Sequence, residues 1–463
     1  MCDSARKFSS IGGFGEELDE LVYEGISNWF ISFRSLLALF SGHFSYLIVQ
    51  VCIFICGILT LIHARANGSR FVQFWWGAMI HGILSENGLA ATKYWHAQAA
   101  LMLFGKRLPL HMVFFYPSIL YIAVMGLQHF NLSPCCESAA TGLLVMMMEI
   151  PFRIISVRFL HITYHDSDPS YASKFYGVPW VEIFSAFVFA SSYTCNYYVL
   201  KHHCLSEDHI KWKRVEYEKK EAIVTAVVAV VSPIIAIIKK IIFFHVLHDS
   251  FNVNPPTCLF LLSSIYFSVI LIRDTEMSKE EKEPQKKTLL YYAIGVYLMC
   301  LLLVAMFCRP QNEISIGAHE PTGDCTTLIC TRTPLGKVVK RRKYLCVDDV
   351  QERSNFVYGF SCLPGGPPYL NAIWYTLCGT PIRNRAQFLT NIFSFIILIS
   401  SIFLRGLLSE AESRNLKSKM SVFSRTRWHR ENSQPERTSQ VGAGSTSIVS
   451  APRQSEEHSE EPA

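Results

Sequence analysis

Charged side chains are scarce in this sequence. Asp, Glu, Lys and Arg make up 17% of the 463 residues, whereas hydrophobic residues make up 50%. A soluble protein of this length carries more charge and has no repeated apolar runs of membrane-crossing length. The net charge of +6 is modest, and the basic residues lie mainly in short loops and the tail. This distribution argues against nucleic-acid binding and favours the sorting of positive loops to the cytoplasm.

The signature motifs of several enzyme classes are also missing. There is no nucleophile elbow, no Walker loop and no dinucleotide-binding fingerprint. The stretch HITYH (161–165) resembles the first histidine box of membrane fatty-acid hydroxylases, but the further HxxHH-type boxes that this family requires are absent. The first 35 residues lack the features of a cleaved signal peptide, so we expect the first span to act as a signal-anchor.

Apolar segments of membrane-crossing length dominate what is present. At 1.5 Å per residue each is long enough to cross a hydrocarbon core of about 30 Å, and a water-free bilayer requires them to be helical. The sequence therefore predicts an all-α polytopic transmembrane helix bundle of about nine spans. The spans are expected near residues 43–63, 71–91, 107–128, 139–162, 178–200, 222–247, 255–273, 288–308 and 387–405.

The remaining regions frame these spans. Apolar residues recur at helical spacing over residues 14–33, which predicts an N-terminal amphipathic helix on the bilayer surface. The predicted domains are an N-terminal region (1–42), a transmembrane core of about eight spans (43–308), a Cys-containing non-cytoplasmic loop (309–386), a last span (387–405) and a disordered cytoplasmic tail (406–463).

Loop charge predicts the orientation. Lys and Arg crowd the loops that nine spans would place with the tail, so we expect the N-terminus outside and the C-terminus in the cytoplasm. The sequons at Asn67 and Asn131 would then be cytoplasmic. The loop at 309–386 would be non-cytoplasmic, where cysteines form disulfides. The possible disulfide cysteines are Cys325, Cys330, Cys346, Cys362 and Cys378, and their pairing cannot be deduced.

The segment MMMEIPFRIISVRFLHITYHDSD (146–168) carries charge inside a predicted span. Glu149 and Arg153 are spaced i, i+4 on one helical face, so they are predicted to form a buried pair. Pro151 between them interrupts the hydrogen-bond ladder and predicts a kink. Because isolated charge is costly in the membrane, we expect this face to point to the bundle interior or to a polar cavity.

The end of the same segment predicts a site. His161 and His165 would lie on consecutive helical turns, where they could bind one divalent metal ion together with Asp166. The candidate catalytic residues are His161, His165, Asp166 and Glu86, since the predicted topology brings their helix ends to one side of the membrane. We expect His161→Ala to spare folding and impair activity.

Two resemblances bear on function. The turn YGVPWVE (176–182) resembles a turn that opens a helix in the carotenoid hydratase family of membrane proteins, which implies an enzyme acting on a lipid. The whole chain resembles uncharacterised multi-pass eukaryotic membrane protein families. The favoured hypothesis is a polar cavity, open to the non-cytoplasmic side, for a lipid-like or small polar ligand, with lipid modification as its possible use. A transporter or channel that uses the buried ionisable groups, and a non-catalytic scaffold or receptor, stay open as alternatives, and the oligomeric state is not indicated.

Overall fold

A computed structural model of the chain describes residues 25–86, 94–130, 132–205, 219–273, 288–346, 356–358, 368 and 370–431. For residues 356–358 and 409–431 it describes the backbone alone. The chain divides into two compact units, Met1–Ser409 and Glu410–Ala463, and the description below concerns the first.

In the part of the chain that the structure describes, nine long helices follow two short ones, α1 (Ile26–Phe30) and α2 (Leu36–Gly42), and each long helix overlaps one of the predicted apolar segments. The long helices are α3 (Phe44–Asn67), α4 (Ser69–Ser85), α5 (Leu110–Leu127), α6 (Pro134–Arg158), α7 (Trp180–Cys204), α8 (Lys219–Lys240), α9 (Pro255–Arg273), α10 (Thr288–Phe307) and α11 (Arg385–Glu431). Helix α8 continues as a π-helix over Ile241–Ser250.

Seven of these helices, within the residues described, are long and apolar enough to cross a membrane. Helix α4, which has 17 residues, and the less apolar α7 are not among them. The span of α5 is 89% buried, whereas that of α9 is 17% buried. Helix α5 is apolar on every side, which is typical of a central helix, and α9 lies at the periphery. The protein is therefore mostly helical and has the features of an integral membrane protein.

Local sequence signals mark the helix boundaries. Ser133 caps α6 by accepting a hydrogen bond from the Cys136 amide, and Pro134 occupies the first turn, where no amide donor is needed. Helix α6 continues on both sides of Pro151 and ends at Arg158. Tyr176 and Gly177 both have positive φ, which suits the tight turn that precedes α7.

Short strands, which the sequence analysis did not predict, connect the helices and occupy much of the 309–386 loop. They are β1 (Ile31–Phe33), β2 (Tyr94–His96), β3 (Leu101–Leu103), β4 (Leu108–Pro109), β5 (Ile162–Tyr164), β6 (Lys174–Phe175), β7 (Val178–Pro179), β8 (Ile314–Ala318), β9 (Thr322–Gly323), β10 (Leu328–Arg332), β11 (Val338–Arg342), β12 (Leu345–Cys346), β13 (Phe356–Tyr358) and β14 (Trp374–Gly379). The all-α prediction is therefore correct for the long helices and wrong for these connections.

Strand pairing gathers one set of helix ends. Strand β2 pairs with β5, and β14 lies between β13 and β8, so the ends of α4, α6 and α10 meet the starts of α5, α7 and α11. We call this the strand end of the molecule. Strands β10 and β11 form an antiparallel hairpin, and the chain between them, residues 333–337, is the hairpin tip.

The two termini differ from their predictions. Residues 14–24 of the predicted surface helix lie outside the described residues, and the helical prediction is wrong at Ile31–Phe33, which pair with Leu101–Leu103. These tertiary hydrogen bonds override the local helical periodicity. Helix α11 extends to Glu431, beyond the start of the predicted disordered tail at 406, and residues 432–463 lie outside the described residues.

Candidate functional site

A cavity of about 220 Å³ lies between α7 and α8 near the strand end. Its lining combines polar and apolar side chains. The polar lining residues on α4, β2, α5, α6 and α7, which we call the polar wall, are Ser85, Tyr94, Tyr116, Glu149, Arg153, Glu182 and Ser185. The other lining residues are Lys240 and His245, on the side of α8 and the π-helix, and the apolar Ala186, Val188, Phe189, Ala236, Ile237, Ile241 and Pro334.

Arg153 is the centre of the polar wall. Its Nε donates to Glu149 Oε2 at 2.8 Å, which is the contact that their i, i+4 spacing predicts. Its Nη1 donates to Tyr164 OH at 3.2 Å and lies 3.8 Å from Glu182 Oε2. Tyr171 OH donates to Glu182 Oε1 at 3.0 Å. One guanidinium therefore faces two carboxylates, and the formal charge of Glu149, Arg153 and Glu182 is −1.

Glu86 lies behind the same wall, at the end of α4. Tyr94 OH donates to its Oε2 at 2.5 Å, Tyr116 OH donates to its Oε1, and His96 Nε2 lies 3.7 Å from Oε2. Both tyrosines line the cavity. The predicted catalytic candidate Glu86 is therefore connected to the cavity through two phenols.

The side of the cavity formed by α8 and the π-helix is less buried. Lys240 Nζ donates to Ser185 Oγ at 2.7 Å, and His245 Nδ1 lies 3.0 Å from Asp249 Oδ2. Lys240 and His245 are half-buried, whereas Glu149 and Arg153 on the opposite wall are buried. This gradient indicates that the cavity opens past α8 and the π-helix.

The hairpin tip closes part of this opening. Pro334 contributes to the cavity wall, and Lys337 Nζ donates to the carbonyl of Asp249 at 2.9 Å and to Asn252 Oδ1 at 3.0 Å. Both residues belong to the 309–386 loop and are far along the chain from α7 and α8. Lys337 therefore holds the hairpin tip against the chain that ends the π-helix.

The predicted metal-binding residues are near one another in sequence but have separate partners. The helical spacing assumed for His161 and His165 is wrong, because α6 ends at Arg158 and Ile162–Tyr164 form a strand. Four residues of extended chain span about 13 Å, whereas one helical turn spans about 5.4 Å. Among the residues that the structure describes, no group of three or more His, Cys, Asp or Glu side chains is arranged to hold a metal ion. The divalent metal stays a prediction.

His165 and Asp166 contact the chain around them. Arg341 Nη1 lies 2.8 Å from His165 Nε2, and His165 Nδ1 lies 2.9 Å from Glu320 Oε1. A neutral imidazole with its proton on Nδ1 satisfies both contacts. Asp166 Oδ1 accepts from Lys174 Nζ at 2.5 Å. The His165 ring and the Asp166 carboxylate are thus engaged in tying the 165–174 segment to its neighbours.

His161 lies in a buried cluster at the start of α3. Its Nε2 is 2.9 Å from Ser45 Oγ, and its ring stacks on Tyr46 with centroids 4.8 Å apart. Glu313 accepts hydrogen bonds from the Ser45 amide at 3.2 and 3.4 Å, which caps α3 from the 309–386 loop. Burial raises the pKa of the Glu313 carboxyl to about 7. Ser45 and His161 are 0% and 1% exposed, so this pair fastens elements together instead of facing a substrate.

The cysteines of the loop are partly paired. Cys325 and Cys346 form a disulfide with Cα atoms 4.8 Å apart, and it closes the base of the hairpin. Cys378 is disulfide-bonded as well. Cys330 is an exposed free thiol, so its predicted disulfide is wrong. Cys362 lies outside the described residues.

Several residues of the cavity were missed by sequence reasoning. Tyr94, Tyr116 and Ser185 carry no motif, and Pro334 comes from a segment remote in sequence. The loop acids Glu313 and Glu320 were also missed. The alternating pattern of HITYH was the available signal for β5, since His161 and His165 then share one face and Tyr164 points to the other.

Comparison with known proteins gives a family and no activity. No curated protein and no solved structure matches the chain. The resemblance of residues 176–182 to the carotenoid hydratase family has no support from any match. The sequence profile of a family described as "Domain of unknown function (DUF7802)" matches residues 19–407, and the chain therefore belongs to the DUF7802 family.

Proposed function

We propose that this protein is a nine-span membrane protein that binds an amphipathic, lipid-like molecule in the cavity between α7 and α8. The observation that carries the proposal is the combination, in one cavity lining, of charged and phenolic groups with apolar side chains. Ligand sites typically combine apolar lining with a few placed polar groups, and ionisable residues within membrane spans often mark such sites.

The lining residues of the cavity indicate which chemical groups the ligand carries. Arg153 and Lys240 can donate to an oxygen-rich headgroup, and Glu182 can accept from a hydroxyl or amine. A volume of about 220 Å³ holds a headgroup and the first part of a chain, so the rest of the chain must leave the cavity. The surface of α8 next to the opening is apolar and exposed, with Ile238 49% and Ile242 51% accessible. The chain would follow this surface into the bilayer.

The membrane arrangement has its own support. With nine spans, the N-terminus and the strand end lie on the non-cytoplasmic side, and the Cys325–Cys346 disulfide suits an oxidising compartment. Cys330 provides a test, since it is free and exposed at the strand end. We expect a membrane-impermeant maleimide to label Cys330 in sealed cells without permeabilisation, with Cys330→Ser as control. Labelling that appears as soon as the plasma membrane alone is permeabilised would place Cys330 on the cytoplasmic face and reverse this orientation.

The binding proposal is tested by native mass spectrometry of the full-length protein in mild detergent, followed by lipid extraction. We expect a co-purifying lipid with the wild-type protein. Ala236→Phe should remove it by filling the cavity, and Glu182→Gln should weaken it. Glu137→Gln is the matched control, because Glu137 is a buried acid at the start of α6, away from the cavity. A wild-type protein free of lipid, or one whose lipid content is the same in Ala236→Phe, would refute the proposal.

Modification of the bound lipid is a second candidate, favoured by Glu86. The Glu86 carboxylate accepts hydrogen bonds from two phenols that face the cavity. Through these phenols it can take up a proton from the ligand or supply one to it. Glu86→Gln should then retain lipid binding while the bound lipid differs in mass from that of the wild type. Lipids of identical mass in both proteins would favour binding or transport without chemistry.

A further inference from the structure

A second pocket lies outside the seven candidate membrane helices, and we propose that it binds a phosphate-bearing molecule. It lies between the 166–174 turn and the β10–β11 hairpin, at the strand end, and has a volume of about 590 Å³. Its charged lining residues are Asp166, Asp168, Lys174, Lys340, Arg341 and Arg342. The inference does not depend on what the cavity between α7 and α8 binds.

The charges of the pocket favour an anion. Four basic side chains face two acidic ones, for a formal charge of +2. Each acid has a partner in its own turn. Asp166 is paired with Lys174 at 2.5 Å, and Asp168 Oδ1 accepts from the Ser170 amide at 2.9 Å. Three of the four basic side chains, Lys340, Arg341 and Arg342, belong to the hairpin.

The hairpin presents this charge in a defined geometry. In β11, Lys340 and Arg342 are two residues apart and lie on the same face of the strand. Arg341, between them, donates through Nη1 to His165 Nε2, while its Nε is buried without a hydrogen-bond partner in the part of the chain described. Guanidinium groups bind phosphate through paired N–H donors, which adds directionality to charge.

The walls of the pocket are held in place before any ligand arrives. Cys346 lines the pocket and is tied to Cys325 by the disulfide, and Leu345 pairs with Thr322 in a parallel ladder. Pre-organised walls lower the entropic cost of binding. The volume exceeds that of an inorganic ion and falls in the range of small-molecule sites, so the phosphate should carry an organic group.

The run Lys340–Arg341–Arg342–Lys343 contains its own control. Lys343 is exposed, and its Nζ lies 4.8 Å from the Tyr344 ring centroid instead of lining the pocket. Lys343→Gln removes one positive charge, as Lys340→Gln does, from a position three residues farther along the chain. If only diffuse electrostatic attraction operated, the two variants would bind anions equally.

The experiment is isothermal titration of the full-length protein in mild detergent with inorganic phosphate, with glycerol 3-phosphate and with phosphatidic acid vesicles. We expect saturable binding of at least one probe, about tenfold weaker in Lys340→Gln/Arg342→Gln, which corresponds to about 1.4 kcal/mol, and unchanged in Lys343→Gln. Binding of glycerol 3-phosphate would identify a soluble ligand, and binding of the vesicles alone a lipid headgroup. Absence of saturable binding of all probes, or equal weakening by Lys343→Gln, would overturn the proposal. Retention of the wild-type thermal unfolding midpoint by each variant would show that folding is intact.

Discussion

Two buried charge clusters lie at opposite ends of the helices. At the strand end, Arg153 faces Glu149 and Glu182, and the three side chains border the cavity. At the other end, Arg70 Nε donates to Glu221 Oε1 at 2.7 Å, and Lys201 Nζ contacts the same oxygen. Both clusters consist of three charges, but the first carries a formal −1 and the second +1.

The clusters differ in what surrounds them. Arg70 and Lys201 are each 1% exposed and Glu221 is 0% exposed, and the three join α4, α7 and α8 into one contact. Arg153 is 8% exposed and faces open volume. A buried ion cluster in a helical bundle therefore has two distinct uses. A closed one clamps helices together, whereas one that borders a cavity has polar groups available to a ligand.

Removing one carboxylate from each cluster should give the largest difference in stability between the two clusters. Glu221→Ala removes the carboxylate that both Arg70 and Lys201 contact, and we expect a loss of about 3–5 kcal/mol in the free energy of unfolding. Glu182→Ala should cost less, because Arg153 keeps Glu149 as its partner. The measurement is thermal unfolding of both variants in the same detergent. Equal losses of stability in the two variants would contradict the distinction between a cluster that clamps helices and one that borders a cavity.

Glu313 extends the comparison to an acid whose partner is a histidine, since His43 Nε2 lies 4.0 Å from Glu313 Oε2. Its pKa of about 7 exceeds the ordinary value of 4.5, so the folded protein retains a proton that the unfolded chain loses. Its contribution is most favourable below pH 4.5, and the free energy of unfolding should fall by about 3 kcal/mol as pH rises through 7. Glu313→Gln should remove this part of the pH dependence while keeping an acceptor for the Ser45 amide. An unchanged pH profile would contradict the assignment.

Contacts within one helix could be predicted from the sequence, whereas contacts between distant segments could not. The apolar segments and the Glu149–Arg153 pair were predictable, because both follow from spacing within one helix. The contacts of Arg153 with Tyr164, and of Pro334 with the cavity, join segments that no local pattern relates. His161 was misplaced because the run of apolar residues from α6 continues into β5, whereas the helix ends in a turn in which Leu160 has positive φ, and β5 then pairs with β2.

His161→Ala tests this correction. The sequence predicts that this change spares folding, whereas the structure places the ring between Ser45 and Tyr46, 1% exposed. We expect a loss of about 1–3 kcal/mol from the cavity and the lost hydrogen bond. His203→Ala, at an exposed position at the end of α7, is the control and should leave the unfolding midpoint unchanged. A variant as stable as the control would restore the catalytic interpretation.

The smallest effect on stability is expected at the hairpin tip, whose hydrogen bonds are exposed. Lys337 fastens the tip to Asp249 and Asn252 beside the cavity opening. Because these hydrogen bonds are exposed to water, Lys337→Ala should leave the unfolding midpoint unchanged. It should accelerate the release of bound lipid several-fold, since the tip would no longer be held over the opening. The measurement is dissociation of a fluorescent lipid from the detergent-solubilised protein, with Lys343→Ala as a matched loss of charge on the same segment. Release at the wild-type rate would mean that the ligand enters and leaves past α8 without passing the hairpin, and that Pro334 forms only a fixed part of the cavity wall.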